Sequence, residues 1–325
     1  MPDTPRATVA ILTYNGEDYI ERILQQVTTQ ELEGNVEVLV IDSGSTDGTL
    51  AAVARFPTVR LHQISNHEFG HGKTRNLAAQ LAHGEFIAYL THDAIPVSNR
   101  WLYELLKPFE LDDRIVAVMG KQVPRRRCFP LLKYEIQGVF AGFGPDFGTS
   151  IFYKDSFVQS EGVLNAIGFY SDVNSAARRD FLLNTLPYRD VRYAEDQLFG
   201  KDLIEAGYHK AYAGRAAVEH SNDLTRAEYR RRIFDETVGL RQIGFPIPEM
   251  SGRDQVRLTI RGIAGDTLRI VRDSDFSRKR KLYWLVVNPL YQITKWGSYR
   301  ASTLVDLTDE EALRADSLEH SRKSA

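Results

Sequence analysis

Three observations predict an α/β protein whose central sheet is mostly parallel. Residues 9–12, 36–41, 59–64 and 86–90 are apolar runs of strand length. Between them lie segments with apolar residues at helical spacing, as in Tyr19, Ile20, Ile23, Leu24 and Val27. Each run ends in small or polar residues that lead onward into the next helix. The resulting order, βαβαβαβ, is that of a parallel sheet covered by helices.

In order, residues 9–12 form the first strand, and Thr13, Tyr14, Asn15 and Gly16 the turn that follows, before a helix over 19–28. The second strand stops at Asp42, and DSGSTDGT (42–49) is a polar turn into a helix over 48–55, with Ser45 or Asp47 available to cap it. The third leads to FGHGKTRN (69–76) and a helix over 74–82. The fourth lies between Gly84 and the polar group Thr91, His92, Asp93, and Pro96 keeps it from continuing. Carboxyl ends of parallel strands deliver side chains to a ligand crevice, so Asp42 and Asp93 point to a site for a charged ligand, with a metal.

Further on, residues 100–108 form a short helix with Trp101, Leu102, Leu105 and Leu106 facing inward, and 115–119 a strand followed by the basic stretch 121–127. Residues 140–168 read as loops with short elements, 172–177 as an edge strand and 178–184 as a helix. In YAEDQLFGKDLIEAGY, Leu198, Leu203, Ile204 and Ala206 mark a helix ended by Gly207, with Glu195 and Asp196 in its first turn. Residues 208–218 supply a last strand or strand pair ending near His220. Beyond this the texture changes to charged helices, which divides the chain into a domain over 1–222 and a helical extension over 223–325.

Composition narrows the function classes. The 325 residues are 43% hydrophobic and 10% aromatic, enough for a large core. With 41 Lys and Arg against 43 Asp and Glu, the net charge of -2 gives no basis for nucleic acid as a partner. A single cysteine, Cys128, excludes an internal disulfide, a CxxC redox pair and a cysteine-rich zinc site, and fits a reducing cytoplasmic location. The N-terminal stretch lacks the pattern of a signal peptide. No run reaches the roughly 18 apolar residues of a membrane span, so any membrane contact is expected to be peripheral. Neither GxGxxG nor a Walker A pattern follows a strand, which sets aside the two commonest phosphate-cradling loops.

Taken in sequence, VAILTYNG (9–16), VLVIDSGSTDGT (38–49), FGHGKTRN, THDA (91–94) and AEDQ (194–197) resemble inverting glycosyltransferases of family 2, with the GT-A fold. The likeness is greatest to the bacterial rhamnosyltransferase branch of polysaccharide biosynthesis. It covers about the first 220 residues and leaves the last hundred unmatched. The resemblance implies that Thr13, Tyr14, Asn15 and Asp42 hold the base and ribose of a nucleotide sugar and that Arg75 helps bind the nucleotide. Lys73 and His92 are then candidates for diphosphate contact. The family's DxD motif falls on Thr91, His92 and Asp93, so the chain departs from it at Thr91 and leaves Asp93 to hold the metal. His220 would complete that site from the opposite wall, with Mg²⁺ or Mn²⁺ as the cofactor; Mn²⁺ tolerates an imidazole better. Asp196 takes the place of the catalytic base, with Glu195 as the alternative.

Each residue also has a purely structural reading. Asp42 and Asp93 could cap the helices that follow, Asp196 could serve only its helix N-terminus, and His220 could be a hydrogen-bonded histidine outside the metal site. Gly70 and Gly72 could mark only a turn, and Arg125, Arg126 and Arg127 a solvated face. Tyr170, Asp172 and Asn174 could line the sugar pocket or form a local core. The cluster at 278–281, followed by the apolar stretch 282–287, reads as an interfacial helix on the cytoplasmic leaflet, or as a helix packed on the domain or on a second copy in a homodimer. The expected activity is transfer of L-rhamnose from dTDP-rhamnose to a polysaccharide or lipid-linked glycan. The alternatives are a hexosyltransferase using a UDP-sugar and a non-catalytic nucleotide-sugar-binding protein of the same fold.

Overall fold

The computed structural model describes residues 4–157, 160–221 and 224–323. The chain divides into two units, Met1–Val123 with Gln137–His220, and Pro124–Ile136 with Ser221–Ala325. The boundary expected between residues 222 and 223 lies outside the described residues.

The first unit is built on a sheet of nine strands among the described residues: β1 (Ala7–Thr13), β2 (Val36–Asp42), β3 (Val59–Gln63), β4 (Phe86–Thr91), β5 (Ile95–Pro96), β6 (Ile115–Val123), β7 (Thr149–Phe152), β8 (Asn174–Arg178) and β9 (His209–Glu219). The helices up to this point are α1 (Ile20–Val27), α2 (Thr49–Val53), α3 (His71–Leu81), α4 (Trp101–Leu106), α5 (Pro130–Ala141), α6 (Glu161–Gly168), α7 (Arg179–Asn184) and α8 (Glu195–Glu205). The strand order is β3-β2-β1-β4-β8-β6-β9-β5, with β7 also on β9. The first four strands are parallel, as the alternation of strand and helix requires. The sheet as a whole is mixed, which corrects the expectation of a mostly parallel one: β8 runs antiparallel to both β4 and β6, and β5 and β7 run antiparallel to β9.

The segment expected at an edge is therefore interior. Asn174 and Ser175 give β8 the polar look of an exposed face, yet both are fully buried. Their polar atoms are used internally: Asn174 accepts from Trp101 Nε1 at 2.9 Å and donates to the Lys121 and Ala216 carbonyls, while Ser175 donates to Asp172. A buried amide with its bonding capacity met costs little, and so it can sit in a central strand. The main core lies between this sheet and its helices. Val9 and Ile11 of β1 pack with Ile20, Ile23, Leu24 and Val27, the apolar stripe of α1, and with Trp101 and Leu105 of α4.

The second unit is helical: α9 (Arg226–Gln242), α10 (Gly252–Arg272), α11 (Arg278–Leu304), α12 (Glu310–Ala315) and α13 (Leu318–Lys323). Thr225 and Glu228 form a capping box on α9, and Ser251 and Ser277 cap α10 and α11. The two long helices, α10 and α11, pack antiparallel. Their seam is polar where it is deepest: buried Asp266 accepts from Asn288 at 2.9 Å and Gln292 at 2.7 Å, and Gly262 leaves room for the Gln292 amide. Arg125, read from sequence as solvated, is buried with its guanidinium on the Ser221 carbonyl.

Candidate active site

In-register pairing puts the ends of β1, β2 and β4 at one level. Thr13 lies beside Asp42, and Leu12 beside Thr91, so the loops carrying Tyr14 and Asn15, Ser43 to Thr49, and His92 and Asp93 leave the sheet in one row. Because β8 is antiparallel, its amino-terminal end meets that row, with Asn174 paired to Leu90. The carboxyl ends of β6 and β9 meet there too, where Val123 pairs with Glu219 just before His220. Reversing one strand thus adds residues 170–173 to an edge that a parallel strand would have closed with its other end.

The first two loops interlock. Buried Asp42 accepts from the backbone N–H groups of Gly44 and Ser45, both at 3.0 Å, and from the Ser45 hydroxyl. Asn15 adopts a left-handed conformation with φ 48°, donates its N–H to Ser45 Oγ at 2.8 Å and accepts from Thr46 N–H at 2.9 Å. Asp42 and Asn15 thereby fix the loops from which Tyr14, half-buried, stands at the crevice rim. Thr13 and His92 line the same wall, since a Cβ on Gly16 would lie 2.8 Å from the Thr13 hydroxyl and 3.2 Å from His92 Cβ.

Asp93 faces His220, with Oδ2 and Nε2 3.3 Å apart. Thr91 donates to the other Asp93 oxygen at 2.8 Å. Burial acts to raise the Asp93 carboxyl, but the facing imidazole, together with His92 and Thr91, outweighs it and holds the group well below the ordinary carboxylate range. The second ring nitrogen of His220 lies 2.9 Å from Gln122 Oε1, and the Gln122 amide N–H donates to Ser171 Oγ at 3.0 Å. That donation turns the Gln122 oxygen toward the ring, so Nδ1–H donates to it and Nε2 is directed at Asp93. An imidazole and a carboxylate held face to face in this way become the donor set of a cation site once a cation takes the place of the Nε2 proton. Among the described residues no group of three or more His, Cys, Asp or Glu converges as a metal cluster.

A second cluster is centred on Arg75. Its guanidinium ion-pairs with Asp172 at 3.0 Å and with Glu195, all three side chains being buried. Asp172 also accepts from Ser175 and from Tyr188, the latter at 2.9 Å, and the Tyr89 hydroxyl donates to the Arg75 carbonyl. Arg75, expected on the nucleotide, is thus committed to a buried network. Lys73, two residues earlier on α3, projects about 200° round the helix from it and faces a separate cleft of 330 Å³ lined by Glu68, Asn76 and Asp190. Gly72 presses on the Arg189 backbone, where a Cβ has no room, so this glycine serves close packing.

Asp196 sits at the edge of the Arg75 cluster and is only partly buried. One of its oxygens accepts from Asp172 N–H at 3.3 Å and the other from Gln197 N–H at 2.8 Å. Burial raises the carboxyls here. Arg75 overcomes this at Glu195, which is held down, whereas Asp172 is raised. Asp196, desolvated and beside both other carboxylates, is pushed up to about 8. The residue before this turn, Ala194, has φ 61°, a region that costs a non-glycine residue about 1–2 kcal/mol. Ala194 and Asn15 are the non-glycine residues with positive φ among those described, and both hold loops of this crevice.

Two adjacent residues join the clusters. Ser171 accepts from Gln122, which holds His220, and Asp172 N–H holds Asp196. The pair Asp93 and His220 and the carboxylate Asp196 are therefore linked by hydrogen bonds through these two neighbours. Gln122, Ser171 and Tyr188 were not legible as site residues. The available signal was Gln122, a polar residue on the continuation of the strand 115–119 that the basic residues around it obscured.

A fold of this topology, with acidic and imidazole groups along the carboxyl edge of its parallel strands, is that of a nucleotide-sugar transferase. The profile of glycosyl transferase family 2 matches residues 8–182. The O-antigen chain rhamnosyltransferase RfbN of Salmonella typhimurium is 31% identical over 240 residues, covering 72% of each chain. WbaN of Salmonella anatum, of the same description, is 30% identical over 241 residues, again 72% of each. Among solved structures, a mannosyltransferase from Pyrobaculum calidifontis in complex with GDP-Man and Mn²⁺ superposes with a TM-score of 0.59 at 19% identity, over 95% of this chain and 89% of that one. Staphylococcus aureus TarS 1-349 in complex with UDP gives 0.51 at 18% identity, over 92% and 90%. These two likenesses are of fold. The chain belongs to glycosyl transferase family 2, is related to bacterial O-antigen rhamnosyltransferases, and is a glycosyltransferase acting from a nucleotide-sugar donor.

Proposed function

We propose that this protein transfers L-rhamnose from dTDP-rhamnose to a hydroxyl of a polysaccharide or lipid-linked glycan, with inversion at the anomeric carbon. The observation that carries the mechanism is the Ser171–Asp172 link, which joins a cation-type pair and a raised carboxylate through hydrogen bonds. The rhamnosyl donor is supported by the two relatives described as rhamnosyltransferases.

Asp196 acts as general base. It takes the proton of the acceptor hydroxyl as that oxygen bonds to the anomeric carbon and the bond to the donor diphosphate breaks. A raised carboxyl suits the task, because a base whose pKa lies near the working pH balances ionisation against proton affinity. Arg75 positions Glu195 and Asp172, and through them sets the charge around Asp196. Asp93 and His220 would hold Mg²⁺ or Mn²⁺, whose chemistry is to neutralise charge on the departing diphosphate. Thr13, Tyr14, Asn15 and Asp42 would border the nucleoside, and His92 the phosphates. Lys73 serves the donor only if the cleft of Glu68 and Asp190 opens to it.

Calorimetric titration of dTDP-rhamnose, UDP-glucose and GDP-mannose, with and without Mn²⁺, tests the reading. Metal-dependent preference for dTDP-rhamnose, weakened by Asp93→Ala, is expected. Preference for UDP-glucose would replace the donor assignment by the hexosyltransferase alternative. Donor binding without transfer to any glycan would leave a nucleotide-sugar-binding protein.

A further inference from the structure

The α10–α11 hairpin carries an exposed apolar face. Val256, Ile260 and Val271 of α10 are 54–61% exposed, and Leu282 and Val286 of α11 reach 68% and 70%. Leu290 and Ile293 extend the α11 row. At 100° per residue the α10 residues fall within about 60° of arc and the α11 residues within about 80°. The seam runs through Asp266 on one helix and Asn288 and Gln292 on the other. Measured from it, each stripe lies about 110–140° round its helix in the same rotational sense. Because the helices are antiparallel, equal senses bring both stripes to one side of the hairpin. Scattered surface aliphatics need no explanation, but two aligned rows on one side mark an interaction surface.

Charge selects the partner. The sequences of α10 and α11 contain eleven lysines and arginines and two aspartates. One of those aspartates, Asp266, is buried in the seam and pairs with Arg269, and Lys295 pairs with Glu135, which leaves Asp254 against nine cations. Arg278 and Lys279 lie exposed at the start of the α11 row. A second copy of the chain, packed face to face about a twofold axis, would set one cation-rich face against another. An anionic lipid surface instead offers acyl chains to the stripe and phosphates to the flanking cations. Among the described residues no helix is long and apolar enough to cross a membrane, so contact would be lateral.

We propose that this face docks on an anionic phospholipid bilayer, with Leu282, Val286, Val256 and Ile260 seated at headgroup depth and Arg278 and Lys279 on the phosphates. The proposal is independent of which sugar is transferred. Its test is flotation of the full chain with vesicles of phosphatidylglycerol and phosphatidylethanolamine, compared with phosphatidylcholine alone. Binding is expected to the anionic vesicles and to fall as salt rises. The double variant Arg278→Gln, Lys279→Gln should lose roughly 25-fold in affinity, at about fivefold per cation, and Val286→Glu at least about tenfold, both with unchanged thermal transitions. Equal binding to the two vesicle types, or binding to neither, overturns the proposal. So does light scattering that shows a dimer converted to monomer by Val286→Glu.

Discussion

Replacing Asp196 by Asn should stabilise the fold while abolishing transfer. In the unfolded chain an aspartate titrates near 3.9, whereas the native environment pushes Asp196 up to about 8. Its protonation therefore favours the folded state fully below about pH 4, and that contribution is lost as pH rises through about 8. At pH 7 the native carboxyl must take up a proton over about three pH units of unfavourable ionisation balance, a cost of about 4 kcal/mol at about 1.4 kcal/mol per unit. Partial exposure of the side chain reduces this. The Asn amide also replaces one of the two oxygens that accept from Asp172 and Gln197, forfeiting about 1 kcal/mol. A net gain of about 2 kcal/mol remains, or roughly 4–8 °C in melting temperature. The assay is thermal unfolding of both proteins between pH 4 and pH 9. The difference should be near its minimum at pH 4, grow toward pH 8 and flatten above it, while donor affinity stays unchanged and transfer falls by about 10²–10⁴. A variant less stable than the parent at pH 7, or a difference that ignores pH, would refute the reasoning.

In the parent, kcat/KM should rise with pH toward about 8 as Asp196 ionises; a profile flat from pH 6 to 9 would remove it as the base. Arg75→Met strands Asp172 and Glu195 and should cost about 3–5 kcal/mol in denaturant titration. Arg75→Lys should recover little, since one ammonium cannot span both carboxylates as the guanidinium fork does. Gln122→Met releases His220 Nδ1 and should weaken Mn²⁺ binding in the presence of dTDP about 10–100-fold by calorimetry, with the melting temperature nearly unchanged. Ala194→Gly relieves the left-handed turn and should add about 1 kcal/mol of stability while lowering kcat, because Glu195 and Asp196 lose a fixed backbone approach.

The parallel half of the sheet was readable because periodicity and turn chemistry agree there, strand by strand. The strand over 172–177 was readable only as an edge strand, since Asn174, Ser175, Ala176 and Ala177 carry no apolar alternation that would mark a central one. What makes it central is bonding to Trp101 and to the Lys121 and Ala216 carbonyls, far away in sequence. The site divides along the same line. Asp93 and Asp196 could be placed from motif order and His220 as the histidine on the opposite wall, and the structure brings Asp93 and His220 together. The burial of Arg75 against Asp172 and Glu195 is a three-element contact with no local signature. Lys73 and Arg75 are neighbours in the same motif, yet α3 turns them to opposite sides.

The polar seam between α10 and α11 fixes more than helix pairing. Sliding one helix by a turn would move Asn288 and Gln292 off Asp266 and leave a buried carboxylate without its two amide donors. The hairpin therefore behaves as a keyed joint with one permitted alignment, as single buried polar residues do in coiled coils. It cannot hide its outer aliphatic rows by slipping or rolling inward. Their spacing is set before anything touches them, and a surface that arrives preshaped gives up little conformational freedom on contact.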